Sequence, residues 1–569
     1  MSINQQLTDY ISFFIAEKGI TNVFQLSGGM IAQLIDKIAQ NSQTKVHSLF
    51  HEQSCAFAVS AYGRIHKTPS IAFATSGPGA TNLLTGIGDC YFDSVPAIFI
   101  TGQVNTHELK GGRAVRQLGF QETDIVSMAK PVTKYAVQLD EYSDFIEIFE
   151  RAYQIAVSGR PGPVLLDIPM NVQRANITTG IFLEPDSYSW PEIDINEVVS
   201  AISVAKKPII WAGNGIHTGS AENLFGRFVE LTKIPFVTSL HAIDILPESV
   251  YKTGMIGSYG NRWANLCVKE CDLILFLGTR IDIRQTGANL SIFKNKKLIH
   301  VDIEEGEMNN RLNVDISIHS GVHNFLAKFI DECNQHFDFS DWLHDIENFR
   351  LAHPVVKELS VGKTEINPHN FFKLLSETSP GNRIYTVDVG SHQMWCAQSL
   401  KFQSGDRFLT SGGMGAMGFS LPAAIGAAVS TDNQVVVIAG DGSFQINLQE
   451  LQYISKNNLN IKIIIVNNNS LGMIRQFQDS YLEGRYFGTK WGYSTPDFCA
   501  VSEAYGIPSR IIRSQDEISS ALDWLCAGNT PKFLEVEISS GINVYPKIAF
   551  GQTMDKMEPD FKPRDMEGT

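Results

Sequence analysis

Two stretches far apart in the chain carry residues of the types and spacing that chemistry needs. Gly440-Asp441-Gly442-Ser443-Phe444 follows the apolar run QVVVIA, and Asn467-Asn468-Asn469 ends the next apolar run, IKIIIV. The intervening LQELQYISKNNL reads as a crossover helix, so an aspartate and an asparagine are expected side by side at the ends of neighbouring parallel strands. The Asp441 carboxylate, the Asn468 side-chain carbonyl and a backbone carbonyl near Ser470 are hard oxygen donors, of the kind magnesium takes when it is shared with phosphate oxygens. The glycines let backbone approach a diphosphate, and the helix start that follows favours anions. Gly-Asp-Gly alone is a common strand-turn-helix with a capping Asp; the paired Asn turn turns it into a candidate metal site. The second stretch is His51-Glu52-Gln53, between KVHSLF and AFAVSAYGR. That places Glu52 at a strand end facing a helix start, in surroundings too apolar for a solvated face, where a carboxyl can exchange a proton with a bound group.

The elements that must position these residues are β-rich runs alternating with helical stretches. SIAFATS, PAIFITG, PVLLDIP, KPIIWAG, DLILFLG, KLIHVDI, QVVVIAG and IKIIIVN are continuous apolar runs ending at Gly, Asn, Ser or Pro. This is the pattern of parallel strands buried on both faces, and ligands in such sheets bind beyond the carboxyl ends of the strands. Two stretches, 183–196 and the region 337–366 that leads to Pro368, read as linkers dividing the chain into roughly three similar α/β domains.

Composition bounds the answer. The 569 residues exceed what one core supports, and 43% hydrophobic with 19% charged residues is ordinary globular composition. A net charge of −14 argues against a nucleic-acid surface as the main role. Eight cysteines at low density, with Cys267 and Cys271 lacking further partners for zinc, point to structural thiols in a reducing compartment. The first twenty residues read as an amphipathic helix rather than a signal peptide, and no apolar run is long enough to span a membrane. A cytoplasmic protein without nucleic-acid or membrane partners is expected.

Together the two stretches resemble the signature of thiamine-diphosphate enzymes. The likeness covers nearly the whole chain and is to the acetohydroxyacid synthase (acetolactate synthase) large-subunit family, in its FAD-containing branch. It is carried by HEQSCAFAVSAYGR, ATSGPGATNLLTGIGDCYFDSVPAIFITGQV, GFQETDIV, TVDVGSHQMWCAQ, TSGGMGAMGFSLPAAIGAA, GDGSFQINLQEL and VNNNSLGMIRQFQ. The resemblance implies an α/β fold of three doubly wound parallel-sheet domains: pyrimidine-binding (1–182), central FAD-binding (197–336) and diphosphate-binding (366–545), with a tail at 546–569.

The resemblance also implies roles. Glu52 would drive the aminopyrimidine of thiamine diphosphate to its imino form, with Gly28, Gly29 and Gln121 lining the reaction site. Val389, Gly390, Ser391 and His392 would reach the diphosphate, as would Gly440, Gly442, Ser443 and Gly472. Met417, flanked by Gly415 and Gly418, would hold the cofactor bent. Asp441, Asn468 and Ser470 would hold Mg2+. Met473 and Phe477 would border the acceptor. FAD would lie along Gly213-Asn214-Gly215, Thr238, Gly257, Gly278, Arg280, Asp282, Arg284 and Asp302-Ile303. It would be a structural relic, since neither decarboxylation nor carboligation is a redox reaction.

The implied activity is decarboxylation of pyruvate and transfer of the two-carbon unit to a carbonyl acceptor, in a homodimer or homotetramer with Glu52 of one chain facing Asp441 of the other. A regulatory subunit is compatible with this. The departures from the family lie around the acceptor: Phe477 for Trp, Gly257-Ser258-Tyr259-Gly260 for Gly-Met-His-Gly, Arg116-Gln117-Leu118-Gly119 for Gly-Thr-Asp-Ala, and Ser27 for Pro. Arg284, the family's clamp for the acceptor carboxylate, is retained. Arg284, Phe477, Ser258 and Gln117 are therefore the candidate substrate contacts. The acceptor is either a 2-oxo acid, giving acetolactate, or a bulkier ketone such as a keto sugar. The competing readings are a 2-oxo acid decarboxylase releasing an aldehyde, disfavoured by a lone His107 where such enzymes carry adjacent histidines, and a non-catalytic nucleotide-binding protein.

Overall fold

A computed structural model describes residues 6–177 and 191–564. Residues 183–190 of the first expected linker lie outside the described residues. The described chain forms three six-stranded sheets in which every pairing is parallel. The front sheet holds β1 (Asn22–Gln25), β2 (Lys45–Ser48), β3 (Ile71–Ala74), β4 (Ala97–Gln103), β5 (Tyr135–Gln138) and β6 (Pro163–Pro169). The middle sheet holds β7 (Pro208–Ala212), β8 (Phe236–Thr238), β9 (Lys252–Met255), β10 (Leu273–Leu277), β11 (Lys297–Asp302) and β12 (Ile316–His319). The rear sheet holds β13 (Ile384–Val387), β14 (Arg407–Thr410), β15 (Val435–Gly440), β16 (Ile461–Asn467), β17 (Ser509–Ile512) and β18 (Lys532–Glu537). The central strands are buried along their whole length, β16 even at Lys462, because helices cover both faces.

Strand order separates the three. The front sheet runs β2-β1-β3-β4-β6-β5 and the rear sheet β14-β13-β15-β16-β18-β17. These are one topology used twice. The middle sheet runs β12-β11-β10-β7-β8-β9, which read from the other edge is the order 3-2-1-4-5-6 of dinucleotide-binding sheets. All three are six-stranded parallel α/β units, as expected, and the middle one differs from the outer two in its strand order. Its core takes in Trp342 from the helix Ser340–Ala352, whose indole N–H donates to Pro208 O at 3.0 Å. Much of the 337–366 stretch is thus helix packed on the middle sheet.

Front and rear units share one apolar core. The helix Glu52–His66 lies on the helix Ser420–Ser430, both rich in Ala, Gly and Ser, so their backbones approach closely. A Cβ on Gly426 would stand 2.2 Å from Ala58 O, so only glycine fits there. Charges join the units as well. Buried Asp93 accepts from Arg64 Nη2 at 2.8 Å and from the backbone N–H groups of Gly412 (2.9 Å) and Gly413 (2.7 Å), with His241 Nε2 3.3 Å away. His217 stands between Glu222 (2.9 Å) and Asp244 (2.8 Å); Lys67 reaches Glu222 at 2.8 Å and Arg407 reaches Asp244 at 3.1 Å. All eight cysteines are free, most of them buried, and among the described residues no three His, Cys, Asp or Glu side chains gather to hold a metal. No helix among the described residues is long and apolar enough to cross a membrane.

Candidate functional site

Open parallel sheets bind ligands where strand order reverses, in the crevice beyond the strand ends. In the rear sheet that point lies between β13 and β15, where Val389-Gly390-Ser391 and Gly440-Asp441 leave their strands. In the front sheet it lies between β1 and β3, beside Gly28-Gly29 and Gly77. In the middle sheet it lies between β7 and β10, at Gly213-Asn214-Gly215 and Gly278. The glycine turns singled out by sequence sit at all three reversals.

The rear reversal gathers the hard oxygen donors. β15 and β16 are neighbours, so Asp441 and Asn468 follow adjacent strands. Ser470 N donates to Asp441 Oδ2 at 3.0 Å and to Asn468 Oδ1 at 3.2 Å, knotting the two turns together. Of the three asparagines, Asn467 is tied sideways to Glu535 at 2.7 Å and Asn469 takes the positive φ of the turn, which leaves Asn468 for the site. Burial pushes the Asp441 carboxyl up to about 6, against the backbone donors that lower it. Among the described residues it has no ion-pair partner. A buried carboxylate left without a cation, beside an amide oxygen, fits a divalent ion better than any protein cation nearby.

An anion cradle adjoins it. The helix Ser391–Ser399 opens at Gly390, with no side chain capping its first N–H groups. A Cβ on Gly472 would meet Ser391 Oγ at 2.6 Å and Asn468 Nδ2 at 2.7 Å, and a Cβ on Gly440 would meet His392 Nδ1 at 2.8 Å. Burial pushes the His392 imidazole down to about 3, so it is neutral, and its Nε2 has no hydrogen-bond partner among the described residues. Ser443 Oγ accepts from Gly440 N at 3.1 Å and so shapes the Gly440–Gly442 turn rather than facing outward. Met417 lies half-buried between Gly415 and Gly418, whose φ values of +65° and +86° suit glycine. Its Cε is 3.6 Å from where a Cβ on Gly442 would be.

Sequence reasoning missed Asp388, the buried residue that follows β13. Its carboxylate accepts from Val389 N (2.9 Å), Gly418 N (2.9 Å), Ser420 N (2.8 Å) and Ser420 Oγ (2.8 Å). It fastens the cradle turn to the turn that carries Met417. The signal was present: an aspartate directly after the apolar run IYTV.

In the front half, Glu52 is the first residue of its helix, and His51 Nδ1 caps that helix by accepting from Gln53 N at 3.0 Å. The Glu52 carboxylate is buried, accepts from Asn82 Nδ2 at 3.0 Å and lies 3.0 Å from where a Cβ on Gly79 would stand. Gly28 is pinned against Thr75, whereas Gly29 opens on free space. Gln121 holds a positive φ of 66°, and its Cβ stands 3.1 Å from a would-be Cβ on Gly77. Gly28 and Gln121 thus meet the β3 end on either side. Within the chain, the Glu52 carboxylate turns to Gly79 and Asn82 and makes no hydrogen bond to the Asp441 knot.

The middle reversal opens into a cleft of about 1430 Å³, counting its solvent mouth, walled by all three units. Asn214, Gly215, Gly278, Arg280, Asp282, Arg284, Asp302 and Ile303 line it. Gly213 and Gly215 are packed on Gly278 backbone, and a Cβ on either would come within 2.6 Å of it. Gly213, Thr238 and Gly257 back the cleft without lining it; Asp282 caps a short helix by accepting from Arg284 N and Gln285 N. A dinucleotide-type strand order, glycines that admit a close backbone approach, and a large cleft beside them fit a nucleotide cofactor such as FAD.

The four candidate substrate contacts do not share one wall. Ser258 N donates to Arg284 O at 2.6 Å, and both residues line the cleft with Tyr259. The Arg284 guanidinium is exposed there and has no ion-pair partner among the described residues. Phe477 lies apart, 42% exposed and 4.8 Å from the Tyr481 ring, which in turn meets Phe550 of the tail at 6.0 Å. Met473 packs against the rear core nearby. Gln117 is exposed, donates to Glu122 O at 3.0 Å and stays outside the cleft.

Comparison with known proteins adds to this geometry. Residues 5–128 match the thiamine pyrophosphate enzyme N-terminal TPP binding domain, 195–329 the central domain and 388–536 the C-terminal TPP binding domain. Acetolactate synthase large subunit of Lactococcus lactis is 35% identical over 95% of this chain and 94% of its own. Acetolactate synthase isozyme 2 large subunit of Escherichia coli is 34% identical over 95% and 97%. Chloroplastic acetolactate synthase 1 of Nicotiana tabacum is 33% identical over 96% and 83%. None of these relatives favours a simple decarboxylase or a non-catalytic binding protein.

Proposed function

The chain belongs to the thiamine pyrophosphate enzymes of the acetolactate synthase large-subunit family and is a thiamine-pyrophosphate-dependent carboligase, and on that premise we propose how its residues divide the work. The observation that carries the reading is the knot of Asp441, Asn468 and Ser470 beside the Gly390–Ser391 cradle. Asp441, Asn468 and the Ser470 carbonyl hold Mg2+, and Ser391, His392, Gly440 and Gly472 accommodate the diphosphate. Bound there, thiamine pyrophosphate would supply the nucleophilic carbon and the electron sink that decarboxylation and carboligation of a 2-oxo acid need.

The chain's own groups do the rest. Glu52 holds and moves the proton at the pyrimidine nitrogen, supported by Asn82. Met417, half-buried beside Gly442, would pack against the cofactor. Gly29, Gln121 and the apolar walls keep water from the reacting centre, so the two-carbon unit reaches a carbonyl acceptor instead of a proton. FAD occupies the middle cleft as a structural group, and the enzyme works as a homodimer in which Glu52 of one chain meets the Asp441 knot of the other. A regulatory subunit is compatible with the reading.

The acceptor is a 2-oxo acid whose carboxylate meets the exposed Arg284, giving acetolactate from two pyruvates. A second reading, a ketone or keto sugar as acceptor, is favoured by Ser258 and Phe477, smaller than the family's Met and Trp at those places. Incubation with pyruvate alone and with a panel of ketones, with thiamine pyrophosphate, Mg2+ and FAD supplied, separates the two. Acetolactate as the main product supports the first, and a branched-chain ketone adduct supports the second. Acetaldehyde alone would defeat both.

A further inference from the structure

Glu52 opens its helix four residues after Ser48, where β2 ends. Its position depends on what holds the turn 49–53. Two side chains of the rear unit hold it. Phe50 N donates to both carboxylate oxygens of Glu450, at 3.1 and 3.3 Å. Asn447 Nδ2 donates to Gln53 Oε1 at 3.1 Å and to Gly418 O at 2.8 Å. Both residues lie just beyond the short helix Asp441–Phe444, in the turn Leu448–Glu450 and at its cap.

Glu450 is fully buried (0% exposed) and has no ion-pair partner among the described residues. A buried carboxylate is costly where an apolar side chain would pack equally well. What this one accepts is a backbone N–H of the turn that carries Glu52. The proton-transfer geometry assigned to Glu52 tolerates little displacement, because a shift of about 1 Å can cost a large factor in rate.

We propose that Asn447 and Glu450 are positioning residues for the reaction, fixing the Glu52 carboxyl by gripping the Phe50–Gln53 turn from the rear unit. The proposal rests on the reading that Glu52 activates the cofactor. In it, Asn447 has a second hold on Gly418, so the turn beside Met417 and the turn that carries Glu52 are pinned by one side-chain amide.

The test uses the full chain with E450A, E450Q, N447A, Q53A and the double variant N447A/Q53A, and E52Q as the reference. Three readouts are taken: kcat and KM for pyruvate, deuterium exchange of the cofactor's thiazolium C2 proton, and backbone amide exchange of the 48–54 segment without cofactor. E450A and N447A are expected to lower kcat and C2 exchange at least about tenfold while KM stays within about threefold. Amide exchange at 50–53 should rise in the same variants. E450Q should recover much of the loss, because its carboxamide oxygen can still accept Phe50 N–H, and N447A/Q53A should be no worse than N447A alone. Folded E450A and N447A proteins with unchanged kcat and C2 exchange, beside an inactive E52Q, would overturn the positioning role alone. Full turnover by E52Q would instead remove the reading on which it rests. If E450A does not fold, N447A and Q53A decide by the same criteria.

Discussion

Asn82 donates its side-chain amide to the buried carboxylate of Glu52 at 3.0 Å, from a helix that begins at Pro78 in the glycine turn after β3. The acid is therefore oriented by a neighbour from its own unit as well as by its helix. E52Q keeps the shape and the contact but cannot cycle a proton. It is expected to lose at least about 100-fold in kcat with its melting temperature unchanged. N82A should lose less, about tenfold, and steady-state kinetics with pyruvate check both.

Asp441 carries the charge of the proposed metal site, and Asn468 contributes a neutral oxygen. D441N should abolish the rise in melting temperature that Mg2+ and thiamine pyrophosphate give the native chain together, and N468A should only reduce it. Differential scanning fluorimetry with and without chelator checks this. An undiminished stabilisation of D441N would move the metal elsewhere.

Asp388 receives four hydrogen bonds inside the protein. Removing it strands two buried N–H groups, a half-buried one and a hydroxyl, so D388A is expected to destabilise the chain by about 2–4 kcal/mol, measured by urea unfolding. Because two turns at the rear reversal lose their common anchor, cofactor affinity should fall as well.

Buried histidines contribute to the acid limb of stability, and beside His392 two of them are His47 and His369. His47 meets Tyr453 Oη at 2.6 Å and Asn22 Oδ1 at 2.8 Å, and His369 meets Ser399 Oγ at 2.6 Å and Tyr545 O at 2.9 Å. Burial pushes each down to about 4. The unfolded chain takes up these protons first, near the ordinary histidine value of about 6.5. Stability is thus lost as pH falls from about 6.5 toward 4, by up to roughly 3 kcal/mol per imidazole. His217 runs the other way. Asp244 and Glu222 raise it against burial, so its share is present at low pH and is lost as pH rises through its folded value. Urea midpoints across pH should show a flatter acid limb in H369N, and an unchanged limb would refute the assignment.

Phe477 is 42% exposed against Tyr481. F477W should narrow that wall. If a bulky ketone is the acceptor, its KM should rise several-fold while acetolactate formation from pyruvate holds or improves; equal effects on both substrates would take Phe477 out of acceptor recognition.

Much of the site was legible in the sequence because its parts follow strand ends. Asp441 and Asn468 each stand directly past a continuous apolar strand, and a run of that kind fixes where a parallel strand stops, whereas Glu52 opens a helix four residues after the mixed strand β2. What lay beyond was set by partners remote in the chain. No local pattern says that Asp388 will meet Gly418, that Glu450 will reach Phe50, or that the middle sheet follows a different strand order from its neighbours. Nor does any local pattern say that the Gln117 side chain will donate to Glu122 O outside the middle cleft. Arg284 and Phe477 were read as one pocket, and in the chain they occupy separate walls.

Asp93 has one hand in each third of the protein, through Arg64, His241 and the Gly412–Gly413 amides. Its carboxyl is held well below the usual range by His241 and Arg64 against its burial, so it stays charged at any pH the protein meets. Peeling any one third away would leave that charge facing apolar interior with part of its compensation gone. The fragments should for that reason make poor independent proteins, and heat or urea should melt the chain in a single step rather than in three.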